Sequence, residues 1–151
     1  MTQSNLLNYH PGIKTKKHDG RDMIWCGIRK KYLIKTPEEW VRQLCILWLI
    51  QEIQVPAGLI SIERKSATAG RFDLLIYDKS GKPLLLIECK SPDVPLSEQT
   101  AFQWARYNAD INVPFGLLTN ALTSFSFRQS AKNCYQQIKN QPIYPEMLSI
   151  V

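Results

Sequence analysis

The chain has 151 residues, 44% of them apolar and 21% charged, which suits one globular domain and excludes a disordered tail. Its longest apolar run, Leu44 to Ile50, falls far short of the ~18 residues of a membrane span. The net charge is +6, and eight basic residues against two acidic ones precede Thr36, so the first quarter of the chain carries the whole excess.

Four cysteines lie far apart without a CxxC, which argues against zinc ribbons and disulfide scaffolds. Both histidines, His10 and His18, sit near the N-terminus, which disfavours a histidine triad or a His-rich metal site. No GxxxxGK[ST] is present, so the chain carries no P-loop motor. Met1 to Asn8 is polar and lacks the apolar stretch of a signal peptide, and a cytoplasmic location is expected. A basic N-terminal quarter suits a polyanion, because each phosphate neutralised releases counterions. A solubilising leader has the same composition.

Along the chain, residues 1–22 read as a basic flexible leader. Met23 to Ile34 is β-rich at both ends and suits one or two strands ahead of the core. Thr36-Pro37-Glu38-Glu39 is a helix start, with Thr as N-cap, Pro at N1 and acids in the first turn. That helix should run to about Ile53. Leu59 to Lys65 reads as a first strand, ended by a turn at Ala67–Gly70. Arg71 to Asp78 and Leu84 to Lys90 read as a hairpin around Ser80-Gly81. A Pro-containing loop leads to Ser97, which caps a helix reaching about Ala109. Phe115 to Thr119 and Ser124 to Arg128 read as strands, Ser130 to Lys139 as a short last helix, and residues 141–151 as a tail without a site. FDLLIY and LLLIEC are apolar on both faces, as in central strands covered on both sides. The expected class is therefore α/β, with a mixed central sheet flanked by helices.

Acids inside such strands require an explanation, because an ionised carboxylate is rarely buried unpaired. A hairpin symmetric about Ser80-Gly81 places Asp73 directly opposite Glu88, with Cβ atoms about 5 Å apart on one face. Lys90, two residues beyond Glu88, projects from that face. Two carboxylates so close repel each other unless a positive charge lies between them. A hard cation such as Mg²⁺ meets that need and keeps several waters, while Lys90 is placed to orient a water or offset charge on a phosphate. A structural ion pair at the strand ends is the competing reading. On the first helix, Glu38 borders the apolar stripe of Val41, Leu44, Cys45, Trp48 and Leu49, so it is the acid expected to reach the sheet. Glu39, turned about 100° away, is expected at the surface. On the second helix Gln99, Gln103 and Tyr107 form a polar stripe at i, i+4, i+8, suited either to a nucleic-acid backbone or to an ordinary amphipathic boundary.

The ordered set of Glu38, Asp73, Glu88-Cys89-Lys90 and Gln103-Trp104-Ala105-Arg106-Tyr107 resembles the PD-(D/E)xK nuclease superfamily. More narrowly, it resembles the N-terminal nuclease domain of type I restriction enzyme R subunits, in which a QxxxY motif follows the ExK. Phe72 stands where the motif's name has Pro. The resemblance covers about Ile24 to Phe127 and implies a restriction-endonuclease-like αβββαβ core, making residues 23–140 one nuclease-like domain. It implies Mg²⁺-dependent hydrolysis of DNA, with Mn²⁺ able to substitute. Asp73 and Glu88 are then metal ligands, Lys90 the catalytic lysine and Glu38 the accessory helix acid. Gln103 and Tyr107 position DNA or the lysine. Partners expected beyond DNA are a second copy of the chain or a separately encoded motor or methylase subunit, and no membrane. The alternative is a non-catalytic nucleic-acid-binding module that uses the basic arm and the Gln–Tyr helix.

Overall fold

A computed structural model describes residues 5–62, 73–132 and 134–151. The central feature is a six-stranded sheet of β4 (Ile60–Ile62), β5 (Leu74–Tyr77), β6 (Pro83–Cys89), β7 (Phe115–Thr119), β8 (Ser124–Ala131) and β9 (Cys134–Ile138), in that spatial order. All neighbours are antiparallel except β6 and β7. A parallel pair needs a crossover, and α2 (Glu98–Asn108) supplies it. With α1 (Pro37–Gln51) ahead of β4, the core order is the expected αβββαβ, a mixed sheet flanked by helices.

Strand alternation divides the interior in two. Leu74, Ile76, Leu85, Ile87 and Leu117 pack with Val41, Leu44, Trp48 and Leu49 of α1. Leu75, Leu86, Leu118 and Phe127 pack with Ala101, Trp104 and Ala105 of α2. Gly116 lets α2 approach closely, since a Cβ there would meet the Trp104 ring at 3.2 Å. Both helices start as their sequences dictate. Thr36 accepts from the Glu39 amide ahead of Pro37, and Ser97 forms a reciprocal capping box with Thr100. In the β5–β6 turn the Asp78 carboxylate accepts from the amides of Ser80 and Lys82 and from the Ser80 hydroxyl. Those three bonds, the one from the Lys82 amide foremost, hold the Asp78 pKa below its ordinary value.

Three local expectations are corrected, and one lies partly outside the described residues. The basic leader is not loose: Leu6 is buried in the core, and β1 (Thr15–His18), β2 (Arg21–Cys26) and β3 (Lys31–Ile34) form a second, antiparallel sheet. The signal for it was Asp19-Gly20, whose φ values of 51° and 75° make the two-residue turn that Asp-Gly favours. The helix expected over Ser130–Lys139 is instead the end of β8 and all of β9. Its burial has strand period, with Tyr135 inside between exposed Cys134 and Gln136. The tail forms α3 (Tyr144–Ile150), whose Tyr144 and Met147, at i and i+3, enter the α1-side core. Pro145 occupies the first turn, where its missing N–H costs nothing. Finally, the first core strand is described only over Ile60–Ile62, and the Ala67–Gly70 turn and the start of the Arg71–Asp78 strand lie outside the described residues.

Tyr135 yields a test of the β9 assignment. Its hydroxyl donates to the Val113 carbonyl, and burial pushes its pKa up to about 12 from 10.0. A folded value above the unfolded one gives a contribution that is full below pH 10 and is lost as pH rises from 10 to 12. That loss amounts to about 2–3 kcal/mol for the wild type. Tyr135→Phe should be about 1 kcal/mol less stable at neutral pH but lose less between pH 10 and 12. Urea unfolding at pH 8 and pH 11 reads both effects, and parallel losses in the two proteins would remove Tyr135 as the cause.

Candidate active site

The three principal candidates meet at one end of the sheet. β6 is central and apolar until its last two residues, where Glu88 precedes Cys89. Alternation from Leu86 puts Glu88 and then Lys90 on the α2-side face, and Cys89 on the α1 side. The Lys90 amide donates to the Thr119 carbonyl at 2.8 Å, which extends the parallel β6–β7 pairing through the lysine. Its ammonium lies 3.7 Å from Glu88 Oε2, and the side chains are 31% and 9% exposed. The lysine is thus held at the rim, facing solvent on one side and a nearly buried carboxylate on the other.

The hairpin register is the expected one, with Leu74 opposite Ile87, Leu75 opposite Leu86 and Ile76 opposite Leu85. The ladder ends at Leu74, and the same register carried one residue further sets Asp73 opposite Glu88. The Asp73 amide donates to the Ile87 carbonyl, and Asp73 Oδ2 accepts from the Cys89 amide at 2.6 Å. Asp73 therefore grips the backbone on both sides of Glu88. Its other oxygen, Oδ1, accepts from Arg42 Nη2 at 3.0 Å.

Arg42 connects the site to α1. Its Nη1 lies 2.8 Å from Glu39 Oε1, and Glu39 Oε2 accepts from Gln43 Nε2 at 3.1 Å. Burial alone would lower the Arg42 pKa, but the carboxylates of Glu39 and Asp73 more than offset it and raise the value. The inward acid of α1 is thus Glu39, which is buried, whereas Glu38 is exposed. The expectation for the two acids is reversed. Thr36 caps through Glu39's own amide and Arg42 draws its carboxylate inward, a partner that a reading of apolar stripes does not weigh. Gln103 and Tyr107 are both exposed, Tyr107 at 71%, and neither bonds to any described residue. They lie on the open side of α2, available to an external ligand.

Two more residues shape the rim. Asn120, directly after β7, donates to the Val94 carbonyl at 2.8 Å and accepts from the amides of Leu122 and Thr123, tying the loop after Lys90 to the β7–β8 turn. Asn at a turn was its only sequence signal. The Cys89 thiol, free and fully buried beside the Cys45 thiol of α1, is pushed well above its ordinary pKa by that neighbour and by burial. It packs as a small protonated apolar group and is no nucleophile.

The donor chemistry fits a hard cation. Asp73 and Glu88 offer only oxygen, and each engaged carboxylate oxygen keeps a lone pair. Among the described residues no three His, Cys, Asp or Glu side chains come together as a metal cage. Two carboxylates plus water match the way Mg²⁺ is held, and do not match structural zinc.

Residues 37–142 match the family described as the type I restriction enzyme R protein N terminus (HSDR_N). The match spans most of the chain, from the first turn of α1 to the approach to α3. The chain belongs to this family. A solved structure similar to it is that of a candidate nuclease belonging to DUF820 from Anabaena variabilis ATCC 29413. The TM-score is 0.42 at 13% identity, covering 98% of this chain and 93% of that one. No curated protein matches the chain. No described helix is long and apolar enough to cross a membrane.

Proposed function

We propose that the chain is a metal-dependent DNA endonuclease of the PD-(D/E)xK type, acting in restriction or DNA processing. The observation that carries this reading is the rim at the end of β6, where Lys90, Glu88 and Asp73 stand together in a member of the restriction-subunit family. Asp73 and Glu88 would hold Mg²⁺, or Mn²⁺ in its place, and the bound ion would supply a polarised water and a counter-charge for the phosphate. Lys90, anchored through its amide to Thr119 and through its ammonium to Glu88, presents N–H donors at the rim. There it orients the attacking water and meets the charge that develops on the phosphate oxygens. The Glu39–Arg42–Asp73 chain keeps the Asp73 carboxylate at the strand end. Gln103 and Tyr107 are side chains free to touch DNA.

The test is cleavage of supercoiled and single-stranded DNA in EDTA, Mg²⁺ or Mn²⁺ by the wild type and Asp73→Ala. Metal-dependent nicking by the wild type alone is the expected result. Equal nicking by both proteins, or nicking in EDTA, would end the assignment. A wild type that neither cuts DNA nor binds Mn²⁺ would leave the non-catalytic binding module as the better reading.

A further inference from the structure

The segment from Lys14 to Lys35, which contains the β1–β3 sheet, holds the whole positive excess of the chain and takes no part in the site above. Its register sets Lys16 beside Met23 and Met23 beside Ile34, with Trp25 opposite Tyr32. Strand alternation then places Lys14, Lys16, Arg21, Trp25, Tyr32 and Ile34 on one face. The opposite face carries Ile24 and Cys26, both fully buried. Contacts across the first face agree: the Lys16 ammonium lies 4.2 Å from the Tyr32 ring centroid, and Trp25 meets Tyr32 edge-on at 5.2 Å. Lys14, Lys16 and Arg21 are exposed, as is Ile34 at 52%. Of the two acids nearby, Asp22 alternates to the other face, and Asp19 lies in the turn, 3.4 Å from His18.

A solubilising leader requires only exposed charge. Here the cations interleave with aromatic rings and an exposed isoleucine, on a folded sheet rather than a loose arm. From that combination we propose that this face binds single-stranded nucleic acid, the three cations taking the phosphates and Trp25 and Tyr32 stacking on unpaired bases. Cations alone bind a duplex equally well, whereas rings gain a partner only where bases are exposed. Position supports the assignment, since only Lys35 and Thr36 separate β3 from α1, the helix that carries Glu39 and Arg42 to Asp73. The proposal extends the nuclease reading but stands without cleavage.

Binding is measured in EDTA with a fluorescein-labelled oligothymidylate of about 15 nucleotides, a duplex of equal length, and heparin. The triple variant Lys14→Gln, Lys16→Gln and Arg21→Gln alters exposed side chains only. It should bind the oligothymidylate at least tenfold more weakly, with a log–log salt slope shallower by about 2. Tyr32→Leu and Trp25→Leu should each cost about tenfold for the single strand while leaving heparin binding unchanged, and Tyr32→Phe should restore it. An unchanged slope in the triple variant, equal affinity for duplex and single strand, or parallel losses on heparin and oligothymidylate would each overturn the proposal. Intact binding with no cleavage in Mg²⁺ would refute the nuclease reading alone, and cleavage with insensitive binding would refute this proposal alone.

Discussion

Lys90→Ala is expected to lower metal-dependent cleavage by about 10²–10³-fold, the scale on which a preorganised donor acts on developing charge, while binding Mn²⁺ at least as tightly as the wild type. The two effects diverge because Lys90 plays opposite parts in them. Its ammonium lies 3.7 Å from Glu88, so a cation arriving at Glu88 is opposed by a positive charge already there. Removing that charge favours metal. The same removal takes the N–H donors from the rim where water and phosphate are to be aligned. Lys90→Arg keeps the charge but replaces a compact ammonium by a planar fork, and should recover only part of the rate. Asp73→Ala should lose both metal and cleavage. Mn²⁺ titration by electron paramagnetic resonance, run beside the cleavage assay, separates the cases. Cleavage by Lys90→Ala at the wild-type rate would strike Lys90 from the site. Lost Mn²⁺ binding in that variant would recast it as a residue that merely shapes Glu88.

The αβββαβ order was legible because each element carries several concordant signals. Thr36-Pro37 and Ser97 mark helix starts, and LLLIEC can only be a strand covered on both faces. The Asp73–Glu88 neighbourhood was legible for a simpler reason, that charge in such a strand is anomalous and a short turn fixes register. The errors share a cause. Glu38 was preferred over Glu39 from helix geometry alone, without Arg42, whose two ion pairs span 31 and 3 positions of sequence. The β9 segment carries no strand signal of its own, because one buried tyrosine among polar residues shows a period only once its hydroxyl is seen bonded to the Val113 carbonyl. Tyr144 likewise enters the core through partners distant in sequence, its amide bonding to the Ile53 carbonyl and its hydroxyl to the Tyr77 carbonyl. Local chemistry was readable, and partners remote in sequence were not. The Asp19-Gly20 hairpin is the exception, a local signal that dense positive charge obscured.

The 31 positions that separate Arg42 from Asp73 make it the most demanding test of the site. Arg42→Met is expected to destabilise the protein by about 3 kcal/mol, as the loss of one member of a nearly buried ion network does. The side chains of Arg42, Glu39 and Asp73 are only 16%, 10% and 15% exposed. The methionine fills similar volume, so most of the loss comes from two carboxylates left without their shared cation, and little from a cavity. Under the proposed function Asp73 has a second source of positive charge. Millimolar Mn²⁺ should therefore raise the melting temperature of Arg42→Met more than that of the wild type, because the ion neutralises a carboxylate that the arginine no longer reaches. Glu39→Gln should be milder, since Arg42 keeps Asp73 and the amide still accepts from Gln43. Thermal melts with and without Mn²⁺ decide between two roles for Arg42. Preferential recovery in Arg42→Met marks it as the group that holds Asp73 ready for a metal. Identical shifts in both proteins would make Arg42 a structural strut, binding α1 to the end of the sheet with no bearing on the ion.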